Sequence, residues 1–236
     1  MDEPWDTFEG RALFLSAGYP GHKRFSDPEK QEENRRFVAD SLPERIREAV
    51  VQLAQAAFAK GVTIVFGGHP SISPIIAGAA TRLGPLKSGD APRIVLYQSQ
   101  GFAREFTAAA RQLAQRDDTV LVVTPKVGER EENLLLMRQR MLGAVVRPSQ
   151  PFVGAVFAGG MDGIYAEARL FNETWPERPM FALGATGAAS RVLAEHGLDA
   201  FGMPASRFAG DSKLHEPDLF RKPRWRSIAA AIAATP

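Results

Sequence analysis

Small residues and polar side chains follow five apolar segments of the sequence, and their types suit the binding of an anion. Glycine has no side chain, so backbone N–H groups beside it can approach a ligand closely. A helix that begins at such a turn directs its positive dipole end at the same place. Each turn alone is equally explained by tight-turn chemistry, but five together predict a cradle for phosphate or pyrophosphate. The five groups are Ser16-Ala17-Gly18-Tyr19, Gly67-Gly68-His69, Gln98-Ser99, Gly159-Gly160-Met161-Asp162-Gly163 and Gly184-Ala185-Thr186-Gly187.

The segments before these turns are short, apolar and rich in β-branched residues, as in strands buried on both faces of a parallel sheet. They alternate with segments of helical period at about 43–60, 71–83, 102–115, 129–146, 163–173 and 186–196. This alternation predicts one doubly wound, Rossmann-like α/β domain over 1–236, with a mostly parallel sheet of about six or seven strands and a core over about 11–196. The predicted strands are Ala12–Ser16, Val62–Phe66, Arg93–Tyr97, Thr119–Val123, Val153–Phe157 and Met180–Leu183.

Two regions depart from the alternation. The segment His22–Arg36 is highly charged, and it is either a solvated insertion or a lid over the carboxyl edge of the sheet. Residues 204–235 begin with a segment rich in proline, arginine and lysine and end in an alanine-rich helix, Ser227–Ala234. We expect this C-terminal region to wrap the surface and to dock on the core or on a second copy of the chain.

Composition excludes several function classes. The chain has 0 cysteines, which removes disulfides, thiolate metal sites and a cysteine nucleophile. The 4 histidines show no metal-ligand spacing, so we expect neither a metal nor a cofactor. A net charge of +2 gives little drive for nucleic-acid binding. No signal peptide or membrane-spanning run is visible, which predicts a cytoplasmic protein. The fingerprints GxGxxG and GxxxxGK[ST] are absent, which argues against NAD dehydrogenases and P-loop enzymes.

Two segments resemble the paired motifs of the Lonely-Guy (LOG) family. Met137-Arg138-Gln139-Arg140-Met141 is similar to MHxRK, and the stretch from Gly159 to Glu167 is similar to PGGxGTxxE. LOG enzymes cleave the base from cytokinin-type nucleoside monophosphates and belong to the wider SLOG superfamily. The turns LSAGYPG, FGGHPSISPII and ALGATGAAS are most similar to sensor-type SLOG domains. Those domains accompany Toll/interleukin-1-receptor (TIR) modules in bacterial anti-phage systems such as Thoeris.

The resemblance implies a pair of site residues. Arg140 and Glu167 take the positions of the family's arginine and glutamate, which serve cleavage of the N-glycosidic bond. Arg138 and Met141 replace the histidine and lysine of the motif, and one residue is inserted in the glycine turn. These departures favour a sensor that binds an NAD-derived or cyclic ADP-ribose-type signal without cleaving it. A LOG-type phosphoribohydrolase is the alternative.

The sensor hypothesis also implies partners. We expect output through a separate TIR or other effector protein, and a homodimer or higher homo-oligomer. A DNA-binding relative of the Smf/DprA type is disfavoured by the low net charge. Among single residues, His69 between Gly68 and Pro70 is expected to contact the ligand, while Asp162 is either a helix cap or a ribose contact.

Overall fold

A computed structural model describes residues 11–21, 27–84, 86, 91–143 and 152–197 of the chain. Six parallel strands form one sheet in this part, in the order β4-β3-β2-β1-β5-β6. The predicted fold class is therefore confirmed. The strands are β1 (Arg11–Gly18), β2 (Val62–Phe66), β3 (Ile94–Ser99), β4 (Thr119–Thr124), β5 (Phe152–Gly159) and β6 (Met180–Ala182).

Helices cover both faces of the sheet. Two clusters of buried apolar side chains lie on opposite faces of the sheet, each formed between the strands and one set of helices. Two short 3-10 helices, Gln100–Glu105 and Gly184–Thr186, follow β3 and β6. No helix in the described ranges is long and apolar enough to cross a membrane. The α-helices are α1 (Pro28–Asp40), α2 (Pro43–Ala59), α3 (Ser73–Thr81), α4 (Ala108–Ala114), α5 (Arg130–Met141), α6 (Gly163–Thr174) and α7 (Ala188–His196).

The strand order places a topological switch between β1 and β5. From β1 the sheet grows through β2 and β3 to the edge strand β4, and the chain then returns to the other side of β1 to form β5. Connections on the two sides of this point diverge, which leaves a crevice beyond the carboxyl ends of β1 and β5. Both strands are almost wholly buried, so the crevice has a rigid floor.

The sequence pattern predicts no helix at α1 and indicates only a charged insertion or a lid there. Asp27 caps this helix by accepting a hydrogen bond from the N–H of Glu29 at 2.9 Å, and Pro28 occupies its first turn. Only Asn34 and Phe37 are buried along it, so the apolar periodicity that normally marks a helix is nearly absent.

Other boundaries also differ from the expectation. The predicted helix at 102–115 is divided into a 3-10 helix and α4, because Phe106 and Thr107 are extended and the Thr107 hydroxyl caps α4 by accepting from the N–H of Ala110 at 3.2 Å. Helix α5 ends at Met141. The predicted C-terminal wrap and helix at 204–235 lie outside the described residues, as does the start of the charged segment at 22–26.

Candidate functional site

A carboxylate, a hydroxyl and a guanidinium meet beside the switch point. The Ser16 hydroxyl, near the end of β1, donates a hydrogen bond of 2.5 Å to Oε2 of Glu167 on α6. Arg138 on α5 donates from Nε to Oε1 of the same carboxylate at 3.2 Å. Ser16 is buried, while the Arg138 and Glu167 side chains are 15% and 17% exposed, so the ion pair remains within reach of solvent. We call these three side chains the polar centre.

Gly163 allows Arg138 to approach the first turn of α6. A Cβ atom at Gly163 would lie 2.9 Å from Nη2 of Arg138, closer than side chains tolerate. Glu167 follows Gly163 by one helical turn and therefore projects on the same side of α6. The guanidinium thus lies against the positive end of a helix and is balanced by one carboxylate. This arrangement suits a ligand that carries both an anionic group and hydroxyl groups.

Arg138, rather than Arg140, reaches Glu167. The two arginines are about 200° apart around the helix, so only one of them can face α6. Arg140 is half-buried on α5 at the position that the LOG-like motif gives to the family's arginine. Arg138 stands where that motif has histidine. A catalytic role for Arg140 stays a prediction. In the structure, Arg138 donates the hydrogen bond to Glu167.

The turns after β2 and β3 lie at the same edge of the sheet. A Cβ at Gly67 would be 3.4 Å from Cε of Met137, so this glycine leaves room for α5 to lie close to β2. The Gln98 side chain donates to the carbonyls of Gly67 at 3.0 Å and Gly68 at 3.4 Å. Gln98 therefore fixes the β2 turn. Ser99 is buried, and its hydroxyl accepts from the N–H of Gly101 at 3.1 Å to cap the 3-10 helix.

His69 lies over the turn that follows β1. Its Nδ1 is 2.8 Å from the Ser71 hydroxyl, which also accepts from the N–H of Tyr19 at 3.3 Å. A Cβ at Gly18 would be 3.2 Å from Nε2 of His69. His69 is exposed and its ring lies against Gly18 at the end of β1, and a ligand contact by His69 stays a prediction. Tyr19 is half-buried against the α2 side of the core, and burial is the main cause that raises its pKa.

The two glycines that follow β5 direct their backbone N–H groups to acceptors within the protein. Gly159 and Gly160 both have positive φ angles, +62° and +71°. The N–H of Gly160 donates to the carbonyl of Gly18 at 2.8 Å, and the N–H of Gly159 donates to the hydroxyls of Thr186 and Ser190. These two N–H groups are therefore already used by the protein.

The next residues along this turn offer N–H groups to a ligand. Within the described ranges, neither the N–H of Met161 nor that of Asp162 has a hydrogen-bond acceptor. The Asp162 carboxylate accepts from the N–H of Gly163 at 3.0 Å, which caps α6 as the sequence indicated. Of the N–H groups in this turn, those of Met161 and Asp162 therefore lack an acceptor among the described residues, and the Arg138 guanidinium lies beside Gly163 in the same turn.

The turn after β6 is internal. Gly184, Thr186 and Gly187 are all buried, and the Thr186 hydroxyl donates to the carbonyl of Leu183 at 2.6 Å. A Cβ at Gly187 would collide with the carbonyl oxygen of Asp40. A ligand contact by these three turn residues stays a prediction.

Asp40 already occupies the N-terminus of α7. Its carboxylate accepts from the N–H of Ala188 at 2.8 Å and pairs with the Arg191 guanidinium. The helix dipole at this end is therefore neutralised by α1 of the same chain. Nothing in the sequence indicated this contact, because Asp40 and Ala188 are 148 residues apart.

The fold and the site together define a class. Doubly wound sheets bind ligands, commonly nucleotides, at the switch point, and this one carries a guanidinium, a carboxylate and a glycine turn there. The model of the SLOG cluster3 family matches residues 36–206, and the chain belongs to that family. No curated protein and no solved structure matches the chain significantly. The resemblance to the SLOG superfamily is confirmed by this match.

Proposed function

We propose that the protein binds a nucleotide-derived ligand in the crevice between β1 and β5. The observation that carries the proposal is the polar centre, in which Arg138 and Ser16 hold one carboxylate at the topological switch. SLOG family membership is consistent with a nucleotide-related ligand. The phosphate would lie against the Arg138 guanidinium and the first turn of α6, and the ribose hydroxyls would face Glu167.

The donors are arranged for this ligand. Within the described chain, Arg138 uses Nε for Glu167, so Nη1 and Nη2 remain to bind a phosphate oxygen. The N–H groups of Met161 and Asp162 are further donors at the same turn. A charge-assisted hydrogen bond of this kind contributes about 1.5–3 kcal/mol. The whole set offers an anion several donors without any strongly basic surface.

We further propose that the protein is a receptor that binds the signal without cleaving it. Glu167 is held by hydrogen bonds from Ser16 and Arg138, so its negative charge is already partly balanced by a guanidinium of the same chain. The LOG histidine is also replaced by Arg138. The ligand would be an NAD-derived or cyclic ADP-ribose-type nucleotide, and the response would pass to a TIR or other effector protein in anti-phage defence, with the chain as a homo-oligomer.

Titration calorimetry tests the proposal. AMP, ADP-ribose, NAD and cyclic ADP-ribose isomers would be titrated into the purified protein, its Arg138→Ala variant and its Arg35→Ala variant. Arg35 is an exposed arginine of α1 and serves as the charge-matched control. We expect the Arg138 variant to lose at least about tenfold in affinity and the control to lose none. The proposal fails when no nucleotide binds at high micromolar concentration.

A phosphoribohydrolase is the second candidate, because an arginine and a glutamate do meet beside the glycine turn. In that reaction the C1′–N bond breaks, a water oxygen bonds to C1′, and the departing base takes up a proton. Glu167 would stabilise positive charge at C1′ in the transition state. Chromatography would detect free adenine released from AMP by the unaltered protein and none from Glu167→Gln. Binding of AMP without release of adenine favours the receptor.

A further inference from the structure

The edge strand β4 exposes an apolar surface. In the described part of the chain it pairs with β3 alone. Leu121 and Val123 are 37% and 43% exposed, and Val127, just after the strand, is 56% exposed. Every residue of β4 is valine, threonine or leucine, and the strand contains neither a charge nor a proline. An edge strand without these protective residues favours pairing with a further strand.

The register of β3 and β4 fixes which backbone groups of β4 point outward. The N–H of Ile94 donates to the carbonyl of Asp118 at 3.2 Å. Because backbone direction alternates along a strand, the even-numbered residues of β4 bond to β3 and the odd-numbered residues face outward. The N–H of Thr119 already donates to the turn before β4. Leu121 and Val123 therefore present N–H and C=O groups that no described backbone group binds.

The two edges of the sheet differ. The opposite edge strand, β6, has three residues, all of them buried, so it offers little for pairing. The described chain ends at Gly197, just after α7, which packs against β5 and β6. That end lies five strand spacings of about 4.8 Å from β4, roughly 24 Å away. A second copy of the chain carries the matching strand itself, and it is the occupant that β4 fits best.

The pairing of two β4 strands is self-complementary when they run antiparallel. Opposite residues in such a pair exchange two backbone hydrogen bonds. With Leu121 opposite Val123 of the second copy, and the reverse by symmetry, all the outward groups of these two residues are used, and their side chains contact across the strands. Asp117 and Lys126, both exposed, flank β4 at its two ends. Antiparallel pairing brings Lys126 of each copy toward Asp117 of the other, whereas parallel pairing would bring like charges together.

We propose that the protein forms a two-fold homodimer in which the β4 strands of two copies pair antiparallel and join the two sheets into one. Closed two-fold symmetry requires this antiparallel direction. In the register given above, Val122 lies directly opposite Val122 of the second copy, with the two Cα atoms about 4.5 Å apart. The inference rests on the homo-oligomer of the proposed function, whose surface it names, and is independent of nucleotide binding.

Single cysteine variants test this register, because the chain has 0 cysteines of its own. Val122→Cys should give a disulfide-linked dimer under mild oxidation, seen on a non-reducing gel, because its Cα separation suits a disulfide. Val120→Cys is the matched control, since both valines are partly buried on the same face of β4. The two Val120 residues of the dimer are offset by four positions, about 13 Å, so this variant should not cross-link.

Sedimentation velocity on Leu121→Pro and Leu121→Thr tests the backbone contact. Proline removes the outward N–H of Leu121 and no hydrogen bond to β3, so an edge strand tolerates it. Threonine removes the same apolar side chain but keeps the N–H and suits a strand. Each change occurs twice in a symmetric interface, and we expect proline to weaken dimerisation at least about tenfold more than threonine does.

Three results would each overturn the proposal: a monomer at concentrations up to about 100 µM, equal cross-linking of the two cysteine variants, or equal dimerisation of the proline and threonine variants. A monomer would mean that another part of the chain or another protein covers β4. The cysteine pair tests the register even where Leu121→Pro does not fold, and melting temperatures within about 2 °C of the unaltered protein exclude that cause.

Calorimetry with AMP on the same samples separates this proposal from nucleotide binding. A monomer that binds AMP overturns the β4 dimer and leaves nucleotide binding standing. A cross-linked dimer that binds no nucleotide leaves the β4 interface standing and overturns nucleotide binding.

Discussion

Replacement of Gly163 by alanine should separate stability from ligand binding. Gly163 is the first residue of α6, and its φ angle is not in the positive range, so alanine fits the backbone. Its Cβ would lie 2.9 Å from Nη2 of Arg138. Ordinary contacts between heavy atoms are about 3.5–4.0 Å, so the guanidinium must move by roughly 0.5 Å or more. The moving atom is the end of a flexible side chain, and the displacement therefore costs little.

Gly163→Ala should raise the stability of the fold and lower its affinity for the nucleotide. Alanine in place of glycine in a helix stabilises the fold by up to about 1 kcal/mol, so the melting temperature should rise slightly. The displaced guanidinium loses part of a charge-assisted hydrogen bond, of the order of 1 kcal/mol out of about 1.5–3. That loss corresponds to roughly fivefold weaker nucleotide binding. A more stable protein with a weaker ligand affinity is the expected result.

Thermal unfolding and calorimetry with AMP or ADP-ribose, on the same samples, provide the assay. Gly78→Ala is the matched control, because Gly78 lies within α3, is exposed, and has no atom within 4 Å of the added Cβ. It should raise the melting temperature and leave affinity unchanged. If Gly163→Ala binds nucleotide as tightly as the control does, Arg138 does not contact the ligand and the reasoning is refuted.

Asp40→Ala should destabilise the fold by about 1–3 kcal/mol, measured by denaturant unfolding, because it leaves the N-terminus of α7 without its acceptor; unchanged stability would contradict it. Gly159→Ala should cost about 2–5 kcal/mol, since its φ is +62° and its Cβ would collide with Ile46; a melting temperature like that of the unaltered protein counts against it. Burial alone would raise the pKa of Asp118. Hydrogen bonds from Arg116 and Arg93 lower this pKa overall, below the ordinary value of 3.8. Its stabilisation is therefore present above that value and lost as pH falls through the lowered pKa. The stability difference from Asp118→Asn should shrink in acid, and a constant difference from pH 7 to pH 3 would disprove the assignment.

The sheet was predictable because its strands are buried on both faces. Continuous apolar runs such as Val62–Phe66 leave few alternatives to a parallel strand between helices. Helix α1 could not be predicted from the sequence because it buries only Asn34 and Phe37. The charged residues around them conceal the helical period.

The sequence predicted which kinds of residues gather at the candidate site, but only some of the contacts between them. The residue types and spacing placed Ser16, Glu167 and an arginine of α5 at one edge of the sheet. Which arginine reaches the glutamate depends on the rotation of α5 about its axis, and the motif resemblance favoured Arg140. The contact of Asp40 with α7 depends on how α1 and α7 pack, which local sequence patterns do not encode. Long-range packing therefore decides which arginine contacts Glu167 and where Asp40 binds, and local sequence patterns do not reveal either contact.

The most direct test of nucleotide binding at the switch point is a crystal structure of the protein with AMP. The phosphate should lie within hydrogen-bond distance of the Arg138 guanidinium and of the N–H groups of Met161 and Asp162. The ribose should lie beside Glu167. Nucleotide density at any other place on the molecule, with the polar centre left without ligand at saturating AMP, would contradict the proposed function.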